Sequence, residues 1–127
     1  MRTILLIDDD PLFMREAETM LTDAGYRVVQ ACDGLRAVRL LEEMREDIDL
    51  AIVDLSIPGV NGFELIGCLS RRPNNIKVLA TSGVYHDHQL ESTTALGAHA
   101  AIRKPRSPQS LPRSQWLSIV QKLIGEP

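Results

Sequence analysis

The feature that most constrains this chain is a regular alternation of short apolar runs with longer segments of helical periodicity. There are five such runs, at residues 4–7, 26–31, 50–53, 76–81 and 98–102. The run at 50–53 is apolar at every position, which is typical of a strand that helices cover on both faces. Because strands that alternate with helices form parallel sheets with right-handed crossovers, the pattern predicts five βα units.

The helical segments carry their own boundary signals. Asp10 precedes Pro11, a favoured combination of N-cap and first helical residue. A second helix is predicted to start near residues 33–34, and a weak fourth helix is predicted to end at Gly97. The last helix places Trp116 on an apolar stripe, so we expect its ring to pack in the core.

Together these units predict one α/β domain over residues 1–127, with a doubly wound, flavodoxin-like sheet and five helices. The common strand order for a five-stranded sheet of this class is 2-1-3-4-5. Ligands bind such folds in the crevice at the carboxyl ends of the strands, here strands 1 and 3. Functional residues are therefore expected at that edge of the sheet.

Length and charge exclude several classes of protein. The 127 residues accommodate one ordinary domain. A net charge of −3 and the lack of any run rich in Lys and Arg argue against direct binding to nucleic acid. The apolar run at residues 4–7 is too short to span a membrane. Cys32 and Cys68 lack zinc-ligand spacing, so we expect reduced thiols that pack as small apolar groups in a cytoplasmic protein.

The three histidines are not expected to bind metal or to carry phosphate. His86 and His88 lie two residues apart in a polar loop, and such a pair rarely forms a metal site without further ligands. His99 is expected at the surface or at a strand edge.

Polar residues follow the predicted strands at the carboxyl edge of the sheet: Asp8 and Asp9 after strand 1, Asp54 after strand 3, Ser82 after strand 4 and Lys104 after strand 5. Three carboxylates in a partly dry site repel one another, and a hard divalent cation relieves that repulsion. Mg²⁺ binds through a few carboxylates, waters and a phosphate oxygen. The pattern therefore predicts a magnesium site, to which Lys104 adds a positive charge and Ser82 a hydroxyl donor.

This set of residues suits the transfer of a phosphoryl group to a carboxylate. Such a reaction requires mainly positioning and charge neutralisation around the migrating group. In this interpretation Asp54 is the nucleophile, while Asp8 and Asp9 hold the metal ion. Lys104 and Ser82 would each contact a further phosphoryl oxygen.

Over essentially its whole length the chain resembles the receiver-domain family of two-component phosphorelays. The resemblance is carried by four motifs in the family's order, at residues 7–10, 53–62, 80–83 and 103–105. The separations match as well. Asp54 lies 45 residues after Asp9 and 28 before Ser82, and Lys104 lies 22 residues after Ser82.

The resemblance implies that Asp54 is the phosphoacceptor in a Mg²⁺-dependent reaction and that Asp8 and Asp9 form the acidic pocket. It also implies that the backbone carbonyl of Ser56 completes the metal site. A sensor histidine kinase or a histidine phosphotransfer protein would donate the phosphoryl group. A downstream protein or an output domain would receive the signal, with homodimer formation as a further option. Such a domain assists only its own phosphorylation and dephosphorylation and is not otherwise an enzyme.

Two positions near the strand ends decide how such a domain signals. We assign the switch hydroxyl to Ser82, which the small residue Gly83 follows, and expect the adjacent Thr81 to point into the core. Three residues before the lysine the family usually has Tyr or Phe, and here that position is Ala101. The resemblance therefore implies a complete phosphorylation site without the family's usual aromatic readout. The family's peptide after Lys104 is usually cis, which the sequence permits.

Three other classes of protein remain as alternatives. A constitutive interaction domain would keep the scaffold without phosphorylation, which Ala101 favours and the complete acidic and lysine set opposes. A small aspartyl phosphatase or phosphotransferase has a second acid two residues after the nucleophile, where this chain has Ser56. A flavin-binding protein needs a phosphate loop after strand 1, where three aspartates would repel a phosphate.

Overall fold

The computed structural model describes residues 1–44, 46–57, 59–71, 76–83 and 93–127. One sheet contains the strands β1 (Thr3–Ile7), β2 (Arg27–Ala31), β3 (Leu50–Asp54), β4 (Lys77–Ser82) and β5 (Ala100–Arg103). Every neighbouring pair is parallel, and the strand order is β2-β1-β3-β4-β5. The fold class and strand order predicted from the sequence are therefore confirmed.

The helices are α1 (Pro11–Asp23), α2 (Gly34–Met44), α3 (Gly62–Arg71), the short α4 (Thr93–Leu96) and α5 (Arg113–Ile124), with a 3-10 turn at Pro108–Ser110. The predicted fourth helix, which was expected to end at Gly97, corresponds to α4. Residues 84–92, which precede α4, lie outside the described residues. The loop with His86 and His88 lies outside them too. In the part of the chain that is described, no helix is long and apolar enough to cross a membrane.

Side-chain caps set where two helices begin beside the carboxyl edge. Asp10 Oδ1 accepts the N–H of Leu12 at 3.0 Å and that of Phe13 at 3.4 Å. Asn61 Oδ1 accepts the N–H of Phe63 at 2.9 Å at the start of α3. Such caps satisfy N–H groups that have no partner within the helix. They therefore fix the loops that follow β1 and β3 at this edge.

The sheet separates two apolar cores. One core lies against α2 and α3 and includes Leu41 and Ile66, and the other lies against α1 and α5 and includes Phe13 and Trp116. β1 and β3 are buried at every position, as expected for strands covered on both faces. Ala101 packs against the first core. The sheet therefore lies between Ala101 and the two aromatic rings.

Other expectations can be compared with the structure directly. Trp116 is fully buried, as predicted. Both cysteines are free but exposed, so the prediction that they pack as apolar groups is wrong. Cys32 follows an edge strand, and Cys68 lies on α3 within 3.5 Å of the Arg71 guanidinium, so neither faces a core. The family's cis peptide after Lys104 is not observed, since all described peptide bonds are trans.

His99 is exposed, as predicted, and its imidazole forms a hydrogen bond with the backbone of β4. Its Nδ1 accepts the N–H of Val78 at 3.0 Å, and only a neutral imidazole can accept there. Partial burial, together with nearby Lys77, lowers the pKa of His99. A lowered histidine pKa stabilises the fold above the unfolded-state pKa, and this contribution is lost as the pH falls.

We therefore expect His99→Asn, whose Oδ1 lies at the position of Nδ1 and does not titrate, to reduce the acid sensitivity of the fold. Between about pH 7.5 and about pH 5.5 the parent should lose more of its melting temperature than the variant. Differential scanning calorimetry at both pH values measures the effect. Equal losses in the two proteins would show that the contact with Val78 does not contribute.

Candidate functional site

The carboxyl ends of β1 and β3 bring three aspartates together. Asp8 follows β1 directly and Asp54 ends β3, and these strands are neighbours in the sheet. Asp8, Asp9 and Asp54 each present one carboxylate oxygen within 4.8 Å of the others. Asp8 and Asp54 are buried, whereas Asp9 is exposed. The cluster therefore has two carboxylates in the protein interior and a third in contact with solvent.

Lys104 links the two buried carboxylates. Its Nζ lies 2.9 Å from Asp8 Oδ2, donates to Asp8 Oδ1 at 3.1 Å and lies 3.7 Å from Asp54 Oδ2. The Lys104 side chain is 12% exposed, so water screens these contacts little. The Lys104 N–H donates to the carbonyl of Ser82 at 3.1 Å, which ties the residue after β5 to the end of β4.

Each buried carboxylate is also held by its own loop. Asp8 Oδ1 accepts the N–H of Asp10 at 2.9 Å, and Asp54 Oδ1 accepts the N–H of Ser56 at 3.0 Å. Both are hydrogen bonds to the residue two positions on, which short acidic side chains form readily in turns. These bonds orient the two carboxylates and leave Asp54 Oδ2 on the side of Lys104.

The electrostatics of the site show an excess of negative charge. Burial is the main cause that raises the pKa of Asp8 to about 6, and the Asp54 carboxylate raises it further. The N–H of Asp10 and the Lys104 ammonium act in the opposite direction but do not cancel the rise. One lysine therefore only partly compensates the cluster of carboxylates.

Mg²⁺ fits this donor set. Asp8 Oδ2 is buried and has no hydrogen bond among the described residues, because its 2.9 Å contact with Lys104 lacks hydrogen-bond geometry. Carboxylate oxygens are the ligands that this hard cation prefers. Asp8, Asp9 and Asp54 could hold the ion. The resemblance assigns the carbonyl of Ser56 to the metal as well. The N–H of the same residue donates a hydrogen bond to Asp54 Oδ1.

The two candidate switch hydroxyls are both fully buried. Thr81 pairs in register with Asp54, and its Oγ1 has no hydrogen-bond partner within the described ranges. Ser82 ends β4 opposite Arg103 and accepts the N–H of Lys104 through its carbonyl. Burial does not separate the two residues, so the switch role of Ser82 stays a prediction.

Phe13 is a neighbour of the site that sequence reasoning missed. Phe13, Ala17, Met20 and Leu21 recur at helical spacing along α1, and that periodicity indicates only that Phe13 packs in the core. In the structure the Lys104 ammonium lies 4.7 Å from the centroid of the Phe13 ring. No local sequence signal reveals this contact, since the two residues stand near opposite ends of the chain and meet only across the folded sheet.

The crowding of carboxylates has a consequence for stability. We expect Asp9→Asn to raise the melting temperature of the metal-free protein, because it removes one like charge while Lys104 keeps its partners. It should also reduce the gain on adding Mg²⁺, which for the parent is about 2.7 kcal/mol at a hundred times the dissociation constant.

Thermal melts with and without Mg²⁺ measure both effects. Asp47→Asn is the matched control, since Asp47 is exposed and outside the acidic cluster. A metal-free Asp9→Asn variant that melts below the parent would show that crowding does not govern this site.

A parallel five-stranded sheet with this polar edge is the architecture of a receiver domain. The family model described as the response regulator receiver domain matches residues 4–114. The chain therefore belongs to the response regulator receiver domain family, and the resemblance drawn from the four sequence motifs is confirmed.

Two curated relatives illustrate the similarity. The two-component response regulator ARR21 of Arabidopsis thaliana is 30% identical over 123 residues, which cover 97% of this chain and 20% of ARR21. The response regulator SaeR of Staphylococcus aureus is 28% identical over 111 residues, which cover 87% of this chain and 47% of SaeR. The chain thus spans less than half the length of either relative.

Solved structures are similar over nearly the whole chain. The signal receiver domain of a DNA binding response regulator from Colwellia psychrerythraea superposes with a TM-score of 0.85 at 25% identity, covering 99% of this chain and 100% of that one. A CheY-like response regulator receiver domain protein from Methanospirillum hungatei superposes with a TM-score of 0.80 at 25% identity, covering 97% and 94%.

Proposed function

We propose that this chain acts in a cytoplasmic phosphorelay, in which Asp54 accepts a phosphoryl group in a Mg²⁺-dependent reaction. The donor would be a sensor histidine kinase or a histidine phosphotransfer protein. The observation that carries the proposal is the Lys104 ammonium between the buried carboxylates of Asp8 and Asp54, at 2.9 and 3.7 Å. Family membership supports it, since receiver domains belong to two-component systems.

The geometry suits Asp54 as the nucleophile. Its Oδ1 is occupied by the N–H of Ser56, whereas Oδ2 lies toward Lys104. A carboxylate oxygen of Asp54 attacks phosphorus, the bond from phosphorus to the donor breaks, and the donor leaves with the electron pair. Lys104, already 3.7 Å from Oδ2, needs only a short movement to reach a phosphoryl oxygen. The Ser82 hydroxyl would donate a hydrogen bond to another phosphoryl oxygen.

Asp8 and Asp9, with Asp54 and the carbonyl of Ser56, would hold Mg²⁺. A bound Mg²⁺ would neutralise the carboxylates and the charge on the migrating phosphoryl group. A bound cation would also stabilise the charged form of Asp8, which burial and the neighbouring Asp54 carboxylate disfavour. This chain's own contribution is to hold the carboxylates in place through the loop N–H groups of Asp10 and Ser56.

Residues 1–127 would form the receiver domain of the pathway. The domain would assist its own phosphorylation and dephosphorylation and would act on no separate substrate. A change of shape would then reach a downstream protein or an output domain, or promote a homodimer. A constitutive interaction domain is the second candidate, and Ala101 at the family's aromatic position favours it.

Intact mass spectrometry after incubation with acetyl phosphate and Mg²⁺ tests the proposal. The parent should gain the mass of one phosphoryl group, because the proposal assigns a single acceptor, Asp54. Asp54→Ala should gain none. Asp47→Ala, which removes an exposed aspartate outside the acidic cluster, should be labelled like the parent.

Excess chelator should suppress labelling of the parent. Equal labelling of Asp54→Ala, or equal labelling in chelator, would contradict the assigned acceptor or the metal requirement. A parent that gains no mass in the presence of Mg²⁺ would favour the constitutive interaction domain instead.

A further inference from the structure

We propose that Phe13 is a positioning residue, whose ring holds the Lys104 ammonium beside Asp8 and Asp54 through a cation–π contact. The assignment of the contact rests on geometry alone. Its consequence for phosphorylation rests on the function proposed above.

The contact has the distance and the surroundings that make such interactions strong. The ammonium of Lys104 lies 4.7 Å from the ring centroid, inside the limit of about 6 Å for a significant cation–π attraction. Phe13 is 1% exposed and the Lys104 side chain 12%. Because water is largely excluded, the attraction between the cation and the ring face is weakened little by solvent.

The ring is itself held in a fixed orientation. Trp116 packs against Phe13 with ring centroids 5.6 Å apart and planes inclined by 58°. Trp116 is fully buried, and its indole N–H has no hydrogen-bond partner among the described residues. The Asp10 cap fixes the start of α1, and its carboxylate accepts the N–H of Phe13. The orientation of Phe13 is thus fixed by the backbone of α1, to which it belongs, and by the Trp116 ring of α5.

Lys104 needs such support because its side chain is long and flexible. The two aspartates attract the ammonium from the polar side, and the ring attracts it from the apolar side. Without the ring the ammonium would occupy more positions, and fewer molecules would present it at the point where the phosphoryl group arrives. The positive charge of Lys104 would remain, but it would less often be at the right position, and phosphoryl transfer would be slower.

This ring lies on the opposite face of the sheet from Ala101. Ala101 packs in the core under α2 and α3, whereas Phe13 and Trp116 pack in the core under α1 and α5. The aromatic contact with the site therefore comes from the α1 side, and it does not depend on the residue that occupies position 101.

A first experiment tests the contact without any phosphodonor. Protons that lie over an aromatic face are shifted upfield, so the Lys104 Cε protons should show an upfield shift in ¹H–¹³C NMR spectra of the metal-free protein. Phe13→Leu should return them to the ordinary lysine position. Leu21→Val, which loosens the same helix and the same core without removing a ring, should leave the shift in place.

A second experiment tests the consequence. We expect Phe13→Leu to slow labelling by acetyl phosphate by about five- to thirtyfold, the factor that corresponds to a cation–π contact from which water is largely excluded. Site-specific replacement of Phe13 by 4-fluoro- and then 3,4,5-trifluorophenylalanine weakens the ring's negative face with little change in shape. The rate should fall stepwise along this series, which a purely structural role would not produce.

The outcomes are separable. An ordinary Lys104 Cε shift in the parent, or a shift that survives in Phe13→Leu, would overturn the contact. Equal rates along the fluorinated series, or equal slowing in Leu21→Val and Phe13→Leu, would overturn its role in phosphoryl transfer. A parent that is not labelled at all would refute the proposed function and with it that role, while the NMR result still decides whether Phe13 holds Lys104.

Discussion

Trp116→Ala is expected to lower the free energy of unfolding by about 3 to 5 kcal/mol. Trp116 is the largest fully buried side chain, and it packs against Phe13 in the core between the sheet and the helices α1 and α5. Alanine would leave a cavity that the rigid sheet cannot close, so the lost burial and the cavity both contribute.

Urea unfolding followed by circular dichroism measures this loss, since Trp116 is the only tryptophan and its replacement removes the fluorescence signal. Trp116→Phe should cost much less, because it keeps a ring and the indole N–H makes no hydrogen bond among the described residues. Leu35→Ala is the surface control, as Leu35 is 70% exposed. Similar losses at positions 116 and 35 would contradict the packing described here.

Gly62→Ala is expected to lower the free energy of unfolding by about 2 to 3 kcal/mol and, on the proposed function, to reduce labelling by acetyl phosphate. A Cβ at position 62 would lie 2.6 Å from Leu55 Cα and 3.0 Å from the carbonyl oxygen of Asp54. These are backbone atoms, so the start of α3 or the end of β3 must move. Either movement displaces the loop that orients the Asp54 carboxylate through the N–H of Ser56.

Gly67→Ala in the same helix is the matched control. There the added Cβ would lie 3.2 Å from Arg71 Nη1, the far end of a flexible side chain. Alanine is the better helix former, so this variant should gain up to about 1 kcal/mol. Urea unfolding and acetyl phosphate labelling of both variants provide the comparison. Parent-like stability and labelling in Gly62→Ala would show that α3 does not pack on this loop as described.

Much of the fold could be predicted because its signals are local. The fully apolar run of β3 reports burial on both faces, and the Asp10–Pro11 pair marks the start of α1. Strand order follows from the regular βα alternation, since few topologies satisfy short right-handed crossovers. The bounds of β5 differ from the expectation: the sequence predicts residues 98–102 and the structure has Ala100–Arg103, because alanine has little preference for strands.

The proximity of Asp8, Asp9, Asp54 and Lys104 was predictable for a related reason. The carboxyl ends of parallel strands lie at one edge, so residues at the ends of neighbouring strands, such as Asp8 after β1 and Asp54 on β3, lie close together. Sequence order and strand ends are sufficient for that inference. The exposure of Cys32 and Cys68 was not predictable, because the fraction of a side chain left in solvent depends on what packs around it.

The sequence by itself determined the βα order, the parallel sheet and the set of polar residues at its carboxyl edge. Only the tertiary structure decided the environment of that edge. The raised pKa of Asp8 reflects burial by the surrounding protein and the nearby Asp54 carboxylate. The contact of Lys104 with Phe13 joins residues from opposite ends of the chain. Both depend on long-range packing and on the local dielectric, which are properties of the assembled fold and not of any segment of it.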